Sequence, residues 1–80
     1  MAALTLIIRT YCHLCDDMAA ALEPLLAEFN ATLELVDIDR DPSLEEKYGI
    51  LVPVLLHAEY ELCHYFVDHA RVRDYLARLG

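Results

Sequence analysis

The chain holds three cysteines, and two of them, Cys12 and Cys15, are separated only by His13 and Leu14. Two cysteines three positions apart at a helix start bring their sulfurs within disulfide reach. The first thiol then stands at the exposed end of the helix, where free backbone N–H groups and the helix dipole favour the thiolate. Thiolate is the species that attacks a disulfide. The second thiol lies one turn in, placed to attack a mixed disulfide formed on the first. His13, set between them, is either a plain exposed loop residue or, when protonated, a positive charge that favours the thiolate further. Other uses of the same residues fit less well. Covalent haem attachment needs His directly after the second cysteine, and Asp16 stands there. A zinc site needs two more ligands. Cys63 and His64 are the candidates, but neighbours on a strand point to opposite faces. Asp37, Asp39, Asp41, Glu45 and Glu46 lack the spacing and glycine of a calcium loop and read as a solvated face. No metal is expected.

For the cysteine pair to work, a strand must end and a helix begin beside it. Ala3 to Arg9 is an apolar run of strand length, and Thr10 to His13 is a turn. From Cys15 to Phe29, Met18, Leu22, Leu25, Leu26 and Phe29 recur at helical steps. Asp16 and Asp17 suit the positive end of that helix. Pro24 is expected to kink or split it. Thr32 to Ile38 reads as a second strand with Leu33, Leu35 and Val36 apolar. Asp41 caps a short second helix, Pro42 takes its first position, and Gly49 is expected as a left-handed stop. Val52 to His57 is a nearly all-apolar third strand, and Glu61 to Phe66 a fourth, joined by a turn near Ala58 to Tyr60. Asp68 caps a last helix with the stripe Val72, Tyr75, Leu76 and Leu79, ended by Gly80. The order is β-α-β-α-β-β-α: an α/β fold with a four-stranded mixed sheet flanked by three helices.

The 80 residues suffice for one domain, 1–80. A hydrophobic content of 58% excludes a disordered chain. Six basic against 14 acidic side chains give −8, which argues against a nucleic-acid groove or a polybasic membrane anchor. No apolar run approaches the roughly 20 residues of a membrane span. Met1 to Arg9 is short for a signal peptide. An odd, low cysteine count does not suit the disulfide framework of a secreted domain, so a reducing cytoplasm is expected. Tyr48, Tyr60, Tyr65 and Tyr75 lack the basic interleaving of a nucleic-acid surface and read as packing.

The segment Arg9-Thr10-Tyr11-Cys12-His13-Leu14-Cys15 resembles the active-site segment of glutaredoxins, in which a basic residue, Thr and a further residue precede Cys-Pro-Tyr-Cys after the first strand. Val52-Pro53 resembles that family's Val-Pro with a cis peptide bond. The resemblance covers nearly the whole chain, because the element order also matches the minimal thioredoxin fold. It is nearest to small bacterial glutaredoxin-like proteins. It implies Cys12 as nucleophile, Cys15 as resolving thiol, and Val52 and Pro53 as a substrate platform. Arg9, Tyr11, His13 and Leu14 then border the substrate. A gapless count from Pro53 puts Cys63 and His64 where the family's Gly-Gly approaches the γ-glutamyl end of glutathione. Arg9 sits where a basic residue would meet a glutathione carboxylate. This chain departs from the family at His13, Leu14, Leu51, Cys63 and His64.

The function expected is that of a thiol–disulfide oxidoreductase without a metal or flavin. Its substrate would be a disulfide-containing protein or a small thiol. Glutathione or a thioredoxin-reductase-like partner would reset it, and no nucleic acid, membrane or second copy is expected. Two alternatives belong to other classes. One is a non-catalytic module that docks an extended peptide at the cis-proline. The other is an iron–sulfur carrier in which Cys12 and glutathione hold a cluster between two protomers. Cys63 is read as a small core residue, with a role as a third redox thiol as the alternative.

Overall fold

The computed structural model describes residues 2–79. The expected helix end at Gly80 lies outside them. In chain order the elements are β1 (Ala3–Ile8), α1 (His13–Phe29), β2 (Thr32–Asp37), α2 (Pro42–Tyr48), β3 (Val54–His57), β4 (Tyr60–His64) and α3 (His69–Leu79), with a 3₁₀ turn Ile38–Arg40 before α2. The sheet order is β2-β1-β3-β4. β1 runs parallel to β2, with Leu6 opposite Leu35, and antiparallel to β3, with Leu6 opposite Leu55. β3 and β4 form an antiparallel hairpin.

The apolar runs of β1 and β3 follow from their central position, since both strands are covered on both faces. Leu4, Leu6, Leu55 and Leu62 meet Met18, Leu22 and Leu25 of α1 and Val72 and Leu76 of α3. On the other face Ile7, Val54 and Leu56 meet Ile38 and Tyr48. Each such leucine contributes about 1.5–3 kcal/mol by leaving water. The two-sided core is what anchors both ends of the loops described below.

Several sequence expectations change. Of the kink or split expected at Pro24, the split does not occur, and α1 runs unbroken from His13 to Phe29. Pro24 and Ala20, whose carbonyl loses its donor, both lie on the exposed face, where water can replace the missing bond. Gly49 has φ −51° and ψ −37°, a right-handed conformation and not the expected left-handed stop. Glycine is needed there because a Cβ would sit 2.5 Å from the Glu45 carbonyl oxygen. The left-handed stop occurs instead at Asn30, φ 55°, closing α1. Leu35 and Leu79 are exposed, at 54% and 47%. β2 is an edge strand and α3 ends beyond the core, so periodicity alone overstated their burial. The third strand starts two residues late, at Val54, because Val52 and Pro53 form the turn into it. The fourth runs Tyr60–His64, ending where Tyr65 takes φ 65°. Asp41 and Asp68 cap as expected, accepting from the N–H of Ser43 and of Arg71.

β4 also breaks its own alternation. Leu55 lies opposite Cys63 and Leu56 opposite Glu61, so Leu62 is the extra residue of a bulge. Leu62 and Cys63 both pack toward the α1/α3 core. Strict alternation would set Cys63 on the face of Glu61 and Tyr65, and the bulge breaks that pattern. Glu61 and His64 meet instead, with Oε2 and Nδ1 2.9 Å apart.

Candidate active site at the head of the first helix

Three segments reach one end of the sheet. β1 leaves it into Arg9–Cys12. Val54 lies opposite Ile7 and opposite His64, so Val52–Pro53 enters, and Tyr65–Phe66 leaves, at that same end.

The β1 exit is pinned by side chains. Arg9 donates to Asp39 Oδ1 at 3.0 Å, to Glu45 Oε2 at 2.8 Å and to the Gly49 carbonyl at 3.0 Å. The two carboxylates hold its charge on, Glu45 most strongly. Thr10 Oγ1 donates to Asp37 Oδ2 at 3.3 Å. The chain then reverses through Tyr11, whose φ of 59° is costly for an aromatic residue and whose side chain stands fully in solvent.

Cys12 is the N-cap of α1. Its sulfur accepts the Cys15 N–H at 3.1 Å, and its carbonyl accepts the Asp16 N–H at 3.2 Å. An N–H aimed at sulfur stabilises the thiolate over the thiol. The Cα atoms of Cys12 and Cys15 are 5.2 Å apart and the sulfurs face one another at disulfide range. The two differ in access: Cys15 is 3% exposed, while Cys12 is partly open. His13 is exposed and Leu14 half-buried in the same turn.

Opposite the pair, the Val52–Pro53 bond is cis, with Pro53 buried and Val52 half-buried. Tyr65 braces this loop twice. Its N–H donates to the Pro53 carbonyl at 2.9 Å and its hydroxyl to the Ile50 carbonyl at 2.6 Å. Sequence reasoning placed Tyr65 with the packing tyrosines and missed this. The only signal the sequence offers is its position one residue beyond the Gly-Gly count. Of the four positive-φ residues among the described ones, Tyr11 and Tyr65 both lie at this end.

The remaining candidates are placed differently. His64 is at the site end of β4, held by Glu61 and edge-on to Tyr65 at 4.8 Å between ring centroids. Cys63 is unpaired and packs against the core, and burial pushes its thiol pKa up. Arg9 faces acidic partners with both terminal nitrogens. Among the described residues no group of three or more His, Cys, Asp or Glu side chains gathers as a metal site. Nor, among them, is any helix long and apolar enough to cross a membrane.

Comparison with known proteins agrees with this geometry. The solution structure of protein Ne2328 from Nitrosomonas europaea is similar at 37% identity and TM-score 0.84, covering 92% of this chain and 89% of that one. The X-ray structure of protein XcR50 from X. campestris is similar at 39% identity and TM-score 0.69, covering 94% and 96%. Thioredoxin 1 from Thermosipho africanus, at 20% identity and TM-score 0.65 over 96% and 92%, shares the fold. No curated protein matches the chain. The model of the glutaredoxin-like domain family (DUF836) matches residues 3–77, which takes in both cysteines, the cis-proline, α1, α2 and most of α3. A thioredoxin fold with its cysteine pair at the head of α1 thus makes this chain a member of the glutaredoxin-like domain family (DUF836).

Proposed function

We propose that the protein is a thiol–disulfide oxidoreductase. The observation that carries this reading is the asymmetry of the cysteine pair. Cys12 is reachable and accepts a helix-start N–H, while its partner Cys15 is 3% exposed and faces it. The Cys12 thiolate attacks a substrate disulfide along the S–S axis. A Cys12–substrate bond forms, and the second substrate sulfur leaves as thiolate and takes a proton from solvent. Cys15, deprotonated, then attacks the Cys12 sulfur. The intramolecular disulfide forms and the first substrate sulfur leaves as thiolate. Two electrons pass from the dithiol to the substrate. Two thiols of a reductant, glutathione or a thioredoxin-reductase-like partner, return the pair to the dithiol. A reducing compartment such as the cytoplasm suits this cycle.

Glutathione is a weak ligand in this reading. Arg9 already faces two carboxylates, and the chain carries −8 while glutathione is itself anionic. The test is trapping. A Cys15→Ser protein should accumulate mixed disulfides on Cys12 that reductant releases, and a Cys12→Ser protein should accumulate none. Absence of adducts from Cys15→Ser, with no turnover of any disulfide by the unaltered protein, overturns the proposal.

A further inference from the structure

An apolar slot of about 180 Å³ opens between α1 and the segment that follows β4. Met18 and Ala21 line one side, Tyr65, Phe66 and Val67 the other, and Asp17 is the one charged residue among them. The space is several times the ~30 Å³ of a water and well short of the roughly 300 Å³ at which small-molecule pockets begin. It fits one apolar side chain. Phe66, on its wall, is left 68% exposed. That wall is not loose, because Tyr65 is tied to the carbonyls of Pro53 and Ile50.

The charge on the α1 side of the slot is negative. Asp16 and Asp17 are exposed on the first turns of α1. Neither carboxylate has a side-chain hydrogen bond or ion pair among the described residues. Arg9, Arg73 and Arg78 are each engaged by carboxylates of their own, and Arg71, on the other side of Phe66 and Val67, reaches to the Glu61 carbonyl. A ligand that fills the slot therefore meets two uncompensated negative charges. Distance links the slot to the cysteines. Asp17 follows Cys12 by five positions, about 7–8 Å along the helix axis. An extended peptide advances about 3.3 Å per residue. A residue two or three places from a cysteine held on Cys12 thus reaches the slot.

We propose that the slot and the carboxylates of Asp16 and Asp17 form a docking site for an extended basic protein segment, which seats an apolar side chain two or three residues from its reacting cysteine. The inference rests on the thiol–disulfide reading and narrows its substrate to a protein disulfide of stated flanking chemistry. Glutathione, small and anionic, has neither the apolar side chain nor the charge for this site.

Three short peptides with Ser in place of the reacting cysteine separate binding from chemistry. One carries Leu and Lys flanking residues, one Leu and Glu, one Gly and Lys. Each is titrated into the oxidised protein and followed by amide shifts. The Leu/Lys peptide should bind tightest and move Ala21, Phe66 and Val67. Exchanging Lys for Glu should weaken binding about tenfold, an effect that high salt shrinks. Exchanging Leu for Gly should weaken it about tenfold as well. An Asp16→Asn/Asp17→Asn protein should bring the Lys-to-Glu ratio close to one while keeping the preference for Leu. Equal affinities for the three peptides, or shifts confined to other faces, overturn the docking site. The same peptides as disulfides then test the chemistry. Turnover of all three at equal rates keeps the exchange reading and overturns the docking site. Selective binding with no turnover keeps the docking site and removes the exchange reading.

Discussion

Replacing Gly49 by alanine sets two effects of opposite sign against each other. The glycine has helical dihedrals, φ −51° and ψ −37°, which alanine adopts without strain. At such a position the exchange normally stabilises by about 0.4–1 kcal/mol, because the unfolded chain has fewer states to lose. Here the new Cβ falls 2.5 Å from the Glu45 carbonyl oxygen, 3.0 Å from its Cδ and 3.1 Å from its Oε1. The side chain cannot simply swing away, since it holds Arg9 at 2.8 Å. The carbonyl is backbone, and it also accepts the Gly49 N–H at 2.9 Å. Relief requires the last turn of α2 to move, at the roughly 1–3 kcal/mol typical of overpacking. The clash wins, and Gly49→Ala should lose about 1–2 kcal/mol net. With a urea slope of about 1 kcal/mol/M, the midpoint falls by about 1–2 M. Gly49→Asn decides the cause. Asparagine is tolerated at left-handed positions, so a glycine kept for a left-handed turn would accept it more readily than alanine. A glycine kept for close approach does not, because both residues carry the same Cβ. A Gly49→Ala protein as stable as the parent, or an asparagine variant clearly milder than the alanine one, refutes the argument.

Other expected outcomes concern the site and its surroundings. Tyr65→Phe removes the hydroxyl bond to the Ile50 carbonyl. It should cost about 0.5–1.5 kcal/mol on urea unfolding, with amide shifts concentrated at residues 50–53; unchanged shifts there would deny the brace. Burial raises the Cys63 thiol pKa in the folded state above its unfolded value. The folded chain therefore holds that proton longer, so its stabilising contribution is complete below the ordinary thiol value of about 8.5 and is lost as pH rises through the raised one. Oxidised parent and Cys63→Ser proteins should differ in the slope of stability against pH in that alkaline window, and identical slopes would show Cys63 to be solvated. In the reduced protein, iodoacetamide should modify Cys12 first and Cys15 last, as their exposures differ; faster modification of Cys15 would reverse the assigned roles.

Several features of this protein are determined within a few residues of chain. The C-x-x-C pair at a helix start, the Asp41 and Asp68 caps, Pro42 in a first turn and the two-sided apolar runs of β1 and β3 each depend on local geometry, so order and spacing suffice to read them. The paired cysteines and the cis bond before Pro53 stand where the sequence and its resemblance to glutaredoxins led one to look. What depends on residues far apart in the chain was decided only by the tertiary structure. Gly49 is the exception, a contact only four residues long: the last turn of α2 sets the Glu45 carbonyl where a Cβ would stand 2.5 Å away, a closeness that spacing does not reveal. Arg9 offers no free charge because Asp39 and Glu45 arrive from across the fold. The bulge at Leu62 turns Cys63 inward, and strict strand alternation cannot register one extra residue. Tyr65 supports the proline loop through two carbonyl groups more than ten positions away, a contact that exists only once the hairpin has brought its end beside Pro53. Burial of Leu35 and Leu79 was misjudged for the same reason: periodicity names a face, and only the assembled neighbours decide whether anything covers it.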